Sequence, residues 1–223
     1  MPARAVTVDT VVLDIDGTLL DSVYHHTVAW QRAMKRYGYD VPCVKIHRQI
    51  GMGGDRLVAA AAGEDAEARH GDDIRSAWEK EYDAMLEEPG LLPGARELIE
   101  GLRGRGIRIV LASSAIPRHA ERAFDLLDAA DKVDAATTAD DAEESKPDPE
   151  LLEAALDRVG GMSSVLVGDS VWDVEAGRRA GIPTICVLSG GVPEAALREA
   201  GAAWVFEDPA DLLTHLDDVI TPA

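Results

Sequence analysis

From Leu91 to its C-terminus, the sequence alternates between short apolar runs and amphipathic helical patterns. The apolar runs are rich in β-branched residues and lie at 107–112, 164–168, 184–188 and 203–206. Strands that are apolar throughout and separated by amphipathic helices are typical of a parallel sheet covered on both faces. With TVVLD near the N-terminus as a further strand, the sequence predicts an α/β fold with a doubly wound, Rossmann-like core.

Residues 22 to about 90 have a different pattern, with no convincing strand. Two stretches, 22–38 and 73–86, carry apolar residues near helical spacing, and the Pro- and Gly-containing segment 87–95 follows them. We therefore predict a helical cap at 21–90 inserted into a discontinuous core of 1–20 and 91–223. Trp30 and Trp78 are expected to pack inside this cap rather than to bind substrate.

The charge balance excludes some partners. The 223-residue chain has 22 basic and 41 acidic residues and a formal net charge of −19. Nucleic acids and anionic membranes attract an excess of Lys and Arg, so neither is an expected partner. A phosphate-binding site in this chain needs local positive charge. The net charge leaves the oligomeric state open.

Cysteine usage and the N-terminus predict a cytoplasmic protein. Cys43 and Cys186 are the only cysteines, and they are expected to be reduced. The N-terminus lacks the features of a signal peptide, and no apolar run approaches the roughly 18 residues of a membrane span.

The stretch VVLDIDGT places two acids directly after a buried strand. Asp14 and Asp16 follow the apolar run at 11–13. Side by side, two carboxylates raise each other's pKa unless a cation lies between them. In open α/β sheets, ligands bind at the carboxyl ends of strands, so this position is a candidate site.

Other polar residues follow strands or lie in a loop of the same predicted sheet. Neighbouring strands would bring them to one patch with Asp14 and Asp16. They are Ser113 and Ser114, Lys146, and Asp169 with Asp173.

This group of residues indicates phosphoryl transfer. Mg²⁺ prefers carboxylate oxygens and substrate phosphates as ligands, and it would keep the paired acids ionised. Asp14 is then a nucleophile that forms an aspartyl-phosphate, and Asp16 is placed to protonate the leaving oxygen and later to activate water. Lys146 and the Ser113 hydroxyl would hold the phosphate oxygens. Pro117 suits the first turn of a helix whose N–H groups would face the phosphate.

The order of these motifs resembles the haloacid dehalogenase superfamily of phosphatases. DIDGT, the serine after an apolar strand, SKPDP and GDSVWD are similar to its four motifs. DSVYHHTVAW resembles the cap opening of the branch that contains phosphoglycolate phosphatase and β-phosphoglucomutase.

The resemblance implies a role for each matching residue. Asp14 is the nucleophile and a metal ligand, and Asp16 is the acid/base and a ligand through its backbone carbonyl. Asp169 is the third protein ligand, and Asp173 supports the site. The phosphate is bound by Ser113, Ser114 and Lys146.

The sequence leaves open which cap residues contact the substrate and to which branch of the family the chain is most similar. His26 and Arg56 are the cap candidates. The dehalogenase branch lacks the second acid, so Asp16 favours phosphate chemistry. A sugar-phosphate mutase is the alternative enzyme, although Gly54 stands where the mutase arginine is expected. A phospho-acceptor signalling module fits the spacing of the acids and the helical insert less well, and the complete set of charged motif residues disfavours a catalytically silent binding protein.

Each residue also has a purely structural interpretation. The acids Asp14 and Asp16 are compatible with a capped turn, and Lys146 with a solvated loop. Ser113, Ser114 and Asp169 are compatible with helix caps, and Asp173 with a structural role. His26 is compatible with a half-buried surface position, and the remaining histidines, His119 among them, are expected at the surface. The substrate, a small phosphate ester, is not identified.

Overall fold

The computed structural model describes residues 5–142 and 144–223. The strands in these ranges are β1 (Val6–Val8), β2 (Thr10–Leu13), β3 (Arg108–Ala112), β4 (Ala135–Thr137), β5 (Ser164–Gly168), β6 (Thr184–Val187), β7 (Trp204–Phe206) and β8 (Ile220–Pro222). The helices are α1 (Val23–Arg36), α2 (Cys43–His47), α3 (Gly54–Ala62), α4 (Glu64–Asp83), α5 (Ala95–Gly104), α6 (Pro117–Leu127), α7 (Glu150–Val159), α8 (Val171–Ala180), α9 (Glu194–Ala200), α10 (Pro209–Thr214) and α11 (Leu216–Val219). None of the described helices is long and apolar enough to cross a membrane.

Six strands form a parallel sheet in the order β4-β3-β2-β5-β6-β7. The central strand β2 pairs with β3 and β5, so that Leu13 lies beside Leu111 and Val167. The three strands therefore end at the same edge, and the segments that follow them start close together. The predicted α/β fold with a doubly wound core is confirmed.

Alternate residues of β2 enter two different hydrophobic layers. Val11 and Leu13 join a large cluster on one face, while Val12 joins a second cluster with Val110 and Leu166 on the other. All four residues of β2 are buried, which explains why the strand is apolar throughout. Burying one such side chain contributes about 1.5–3 kcal/mol. This double burial fixes the strand end that carries Asp14.

The helices α1–α4, here called the helical insertion, lie between β2 and α5 and have a core of their own. Trp30, Met34, Ile46 and Ile74 are among its buried residues. The predicted boundaries at 20/21 and 90/91 stay a prediction, as does the division into core and cap that they define.

The chain enters and leaves the helical insertion at one place. Asp21 N–H donates to Gly90 at 2.9 Å, and Leu92 N–H donates to Leu19 at 2.9 Å. The two crossings therefore run side by side, joined by backbone hydrogen bonds.

Three short strands were not among the predicted elements. The edge strand β4 and the separate β1–β8 pair have three residues each. Each of the three contains a threonine and lacks the continuous apolar run by which the equally short β7 was predicted. The short insertion helices α2 and α3 were likewise not predicted individually.

Gly94 generates a prediction about stability. Its φ is +78°, and a Cβ there would lie 2.5 Å from Ala210 Cα. Gly94→Ala therefore introduces left-handed strain and backbone crowding, and we expect a loss of about 2–5 kcal/mol in the free energy of unfolding.

Urea unfolding measures this loss, and Gly104→Ala is its matched control. No atom lies within 4 Å of a Cβ at Gly104, and its backbone is not in the left-handed region. The control should leave stability unchanged or raise it by about 0.4–1 kcal/mol. Equal effects of the two substitutions would contradict the packing of α5 against α10.

Candidate active site

Asp14 lies buried at the end of β2 and is held by a lysine that is distant in sequence. Its backbone N–H donates to Val167 at 2.9 Å, which continues the strand pairing. Lys146 Nζ donates to Asp14 Oδ1 at 2.5 Å and to Asp173 Oδ1 at 2.7 Å. Lys146 is only 5% exposed. The interpretation of Lys146 as a solvated loop residue is therefore wrong.

Three buried carboxylates, those of Asp14, Asp169 and Asp173, form what is here called the acid cluster, and Lys146 contacts the first and the last of them. One oxygen each from Asp14, Asp169 and Asp173 lies within 4.8 Å of the others. Burial raises the pKa of Asp14 to about 7, with Lys146 acting in the opposite direction. Burial, Asp173 and Asp14 raise the pKa of Asp169 well above its ordinary value. One ammonium group is therefore too little positive charge to hold the pKa values of Asp14 and Asp169 at their ordinary level.

The charge of Lys146 itself is secure. Burial alone would lower its pKa, but the carboxylates of Asp14 and Asp173 hold it above its ordinary value. The lysine is therefore a permanent cation in this cluster.

Two glycines allow the backbone to approach Asp169. A Cβ at Gly17 would lie 2.5 Å from Asp169 Oδ2, and one at Gly190 would lie 1.7 Å from the same oxygen. Gly17 also has a φ of +82°, which favours glycine. The turn after β2 therefore closes tightly around the acid cluster.

The donor set fits a divalent cation. Carboxylate oxygens from three buried acids form the kind of oxygen-rich site that Mg²⁺ prefers. A dication would supply the positive charge that the raised pKa values of Asp14 and Asp169 indicate is lacking.

Asp16 has different partners from the cluster. Its Oδ1 accepts a hydrogen bond from Ser22 Oγ at 2.5 Å and lies 3.2 Å from His26 Nε2. Burial alone would raise the pKa of Asp16, but His26 and the Ser22 hydroxyl hold it below its ordinary value. The two acids of the first motif thus face different surroundings, which their side-by-side positions in the sequence do not reveal.

His26 is buried and stacked, so the alternative of a half-buried surface histidine is wrong. It is 6% exposed, and its ring lies parallel to Tyr82 with centroids 3.8 Å apart. Trp78 stacks on the same histidine at 5.7 Å and on Trp30 at 4.7 Å. The insertion therefore places an aromatic stack above Asp16.

The two serines after β3 differ in their contacts. Ser113 is buried, and its Oγ accepts the N–H of Ala115 at 3.0 Å, so its own proton is still available to an anion. Ser114 Oγ is buried with no hydrogen-bond partner among the described residues. Helix α6 begins at Pro117 with Ile116 as its N-cap residue, so neither serine caps that helix.

The acids after β5 also differ. The N-cap of α8 is Ser170, which exchanges hydrogen bonds with Asp173 in a capping box. Asp169 is therefore not the cap. Asp173 has the structural role that was left open and contacts Lys146 as well.

Arg56 lies in the helical insertion and forms an ion pair with a residue outside the insertion. Its guanidinium pairs with Glu144 and lies 3.7 Å from Asp55. Gly54, at the position of the mutase arginine, lies near Trp30, since a Cβ there would be 3.3 Å from that ring. Neither residue contacts the acid cluster.

Sequence reasoning missed several contacts between the insertion and the rest of the chain. His119 was predicted at the surface but is 4% exposed, with Nε2 2.9 Å from Asp83 Oδ1. Burial lowers the pKa of His119, with Asp83 acting in the opposite direction. His47 Nε2 similarly lies 2.9 Å from the carbonyl oxygen of Gly190. A lone histidine on a helix carries no sequence signal for a partner this far along the chain.

A parallel sheet with a buried aspartate, a paired lysine and further acids at the strand ends defines a phosphoryl-transfer type of site. The sequence matches the haloacid dehalogenase-like hydrolase family over residues 8–181. The chain belongs to that family.

Individual relatives agree with this assignment. The phosphoglycolate phosphatase of Nitrosospira multiformis is 32% identical over 194 residues, covering 82% of this chain and 84% of the relative. The N-acetylmuramic acid 6-phosphate phosphatase of Pseudomonas aeruginosa is 30% identical and covers 93% and 94%. A solved hydrolase from Pseudomonas syringae superposes with a TM-score of 0.90 at 32% identity, covering 95% of this chain and 99% of that one. The predicted enzyme class, a phosphoric monoester hydrolase, is confirmed.

The buried pairing of Lys146 generates a prediction about stability. Lys146→Met leaves the buried carboxylates of Asp14 and Asp173 without their cation. We expect the free energy of unfolding at pH 7.5 in EDTA to fall by about 3–5 kcal/mol. The loss should be smaller at pH 5, because protons can then neutralise the unpaired acids.

Lys132→Met is the control for denaturant unfolding. Lys132 also contacts two carboxylates, those of Glu100 and Asp128, but in a solvent-exposed setting. Its loss should change stability far less, since exposed ion pairs are screened by water. Similar losses from both substitutions would contradict the importance assigned to the buried pair.

Proposed function

We propose that this protein is a Mg²⁺-dependent phosphatase of the cytoplasm, which hydrolyses a small phosphorylated metabolite through an aspartyl-phosphate on Asp14. One observation carries the proposal: Asp14 lies buried against Lys146 at 2.5 Å, while Asp16 is held apart by Ser22 and His26. This difference supports a role in nucleophilic attack for Asp14 and a role in proton transfer for Asp16.

The first step transfers the phosphoryl group to Asp14. A carboxylate oxygen of Asp14 attacks phosphorus, the ester P–O bond breaks, and Asp16 donates a proton to the leaving alcohol oxygen. A phosphate dianion beside Asp16 raises the pKa of its carboxyl by like-charge repulsion, which favours the protonated form that this step needs. Lys146, Ser113 and Ser114 hold the non-bridging phosphate oxygens.

The second step releases phosphate. Asp16, now a carboxylate, takes a proton from a water molecule as the water oxygen attacks phosphorus. The bond between phosphorus and Asp14 breaks, and the products are inorganic phosphate and the original Asp14 carboxylate. Asp16 returns to its protonated form.

The metal site in this proposal uses the acid cluster. Asp14 and Asp169 would hold Mg²⁺ with the backbone carbonyl of Asp16, and Asp173 would support them. When bound, the ion supplies positive charge that stabilises the phosphoryl group during transfer. Lys146 remains necessary because it fixes Asp14 and neutralises part of the phosphate charge.

Residues 21–90 are proposed as a cap that covers the site and selects the substrate. Closure would exclude bulk water from the aspartyl-phosphate. His26 and Arg56 are the cap residues proposed as candidates for substrate contact. The partner is a small phosphate ester, and the excess of acidic residues disfavours nucleic acids and anionic membranes.

A sugar-phosphate mutase is the alternative outcome. Such an enzyme needs a cation for a second phosphate group, and Gly54 provides none at the expected position. Arg56 is engaged by Glu144 and Asp55. Release of inorganic phosphate into solution separates the phosphatase from the mutase.

Asp14→Asn tests the nucleophile. We expect phosphate release from p-nitrophenyl phosphate and from a panel of sugar phosphates to fall by at least about a thousandfold, because the amide is not a nucleophile. The matched control is Asp157→Asn, an exposed position on α7, which should retain full activity. Persistent release by Asp14→Asn would exclude the aspartyl-phosphate.

Magnesium binding should depend on pH in a defined direction. The folded-state pKa of Asp14, about 7, lies above its ordinary value of 3.8. The metal-free folded protein therefore binds an extra proton between these values and loses stability as the pH rises from about 4 to 7. Mg²⁺ should restore stability most strongly above pH 7, where it no longer competes with that proton.

Thermal unfolding with and without Mg²⁺ at pH 5.5 and pH 8 measures this effect. Free Mg²⁺ at 100 times its Kd should add about 2.7 kcal/mol of stability. Asp169→Asn should reduce the Mg²⁺-induced rise in Tm, whereas Asp157→Asn should leave it intact. A rise that is larger at pH 5.5 would contradict the assignment.

A further inference from the structure

A small cavity is lined by Asp14 and Asp16, and a larger one lies next to it. The larger cavity has a volume of about 550 Å³, and the walls of both cavities include Gly53, Gly54, Trp78 and Ser114. If the phosphate lies at Asp14, as in the proposed function on which this inference rests, the alcohol part of the ester occupies the larger cavity.

Carboxylates outnumber cationic groups in the wall of this cavity. The acidic residues are Asp55, Asp72, Glu79 and Glu144, and the basic residue is Arg75. The charge of Arg75 is already engaged. Its guanidinium lies 2.8 Å from both Glu67 and Asp72 and donates to the Gly54 carbonyl at 3.1 Å.

Two further arginines beside the cavity are also engaged. Arg56 is shared by Glu144 and Asp55. Arg118 lies 3.1 Å from Glu79 and 2.6 Å from Asp83. Together with Arg75, each of these arginines is therefore shared by two carboxylates, and the surroundings keep an excess of negative charge.

The cavity wall also offers aromatic and polar surface. Trp78 lines both cavities, and its Nε1 is buried without a hydrogen-bond partner among the described residues. A buried polar atom of this kind is stabilised by a partner, and a hydroxyl of a bound alcohol would provide one.

We propose that the larger cavity binds an uncharged or cationic alcohol, so that the enzyme selects phosphate monoesters without a second anionic group. A carboxylate or second phosphate in the cavity meets like charge, and it gains an arginine only by displacing a carboxylate already paired with it. A polyhydroxylated or amine-bearing alcohol is not repelled by these carboxylates. This preference disfavours both two-carbon acid phosphates and bisphosphates as substrates.

Three sugar phosphates of similar size test the preference. Glucosamine 6-phosphate, glucose 6-phosphate and 6-phosphogluconate carry a positive, a neutral and a negative group on the alcohol part. We expect kcat/KM to decrease in that order, with at least about a tenfold difference between the first and the last at low salt. The difference should narrow at high salt, because ions screen the carboxylates.

Variants test whether the cavity wall is responsible. The double substitution Glu79→Gln with Glu144→Gln should raise kcat/KM for 6-phosphogluconate relative to glucosamine 6-phosphate. The double substitution Glu97→Gln with Glu199→Gln, an equal change of charge at exposed positions on α5 and α9, should leave the ratio unchanged. Equal or better use of 6-phosphogluconate by the unmodified enzyme overturns the proposal, as does an unchanged ratio in the double variant at Glu79 and Glu144.

A binding measurement separates this proposal from the phosphatase assignment. Hydrolysis of p-nitrophenyl phosphate that requires Asp14 supports the proposed function whatever the order of the three sugars. If no ester is hydrolysed, the proposed function fails, and calorimetry with Asp14→Asn and Mg²⁺ decides the cavity's preference. Affinity in the order amine, neutral, carboxylate supports the proposal, and any other order or no binding overturns it.

Discussion

The pairing of Lys146 with Asp14 and Asp173 is the interaction on which the site depends. The lysine is 132 residues from Asp14 in sequence, yet it holds that carboxylate at 2.5 Å in a nearly water-free setting. A buried ion pair is costly to desolvate and is stabilising only when its partners are well placed. The sheet provides this placement, because β2, β4 and β5 are parallel strands of one sheet and the segments after them, which carry Asp14, Lys146 and Asp173, meet at the same edge. The acid cluster is thus a product of strand register as much as of the residues themselves.

Asp14 and Asp16, which lie two positions apart in the first motif, differ in pKa because their surroundings differ. Asp14 faces the lysine and two acids, and its pKa is raised to about 7. Asp16 faces a hydroxyl and an imidazole, and its pKa is lowered. A pair of carboxyl groups with unlike environments is a recurring basis for assigning different roles in proton and group transfer. For Asp16, these surroundings are provided by His26 of the helical insertion and by Ser22, the residue directly before it.

Much of the fold was predictable because its strands and helices have recognisable local sequence patterns. Buried strands such as β5 appear as apolar runs, and the acids at their ends appear as motifs with fixed spacing. The strands β1, β4 and β8 were not predictable, since none of them has the continuous apolar run of the equally short β7. The burial of His119 and the sharing of Arg56 and Arg118 were not predictable either. These contacts depend on how the helical insertion packs against the rest of the chain. Local periodicity in a single sequence does not reveal that packing.

The two adjacent crossings at 19–21 and 90–92 have a consequence for motion. Asp14, Lys146 and Asp173 all belong to elements on the sheet side of these crossings, whereas His26 belongs to α1 on the other side. A rotation of the insertion about the crossings would withdraw the imidazole from Asp16 and leave the lysine pair untouched. The proton affinity of Asp16 would then follow the position of the insertion, while the charge balance at Asp14 would not. In such a rotation, the electrostatic environment of Asp14 would stay constant while that of Asp16 would change.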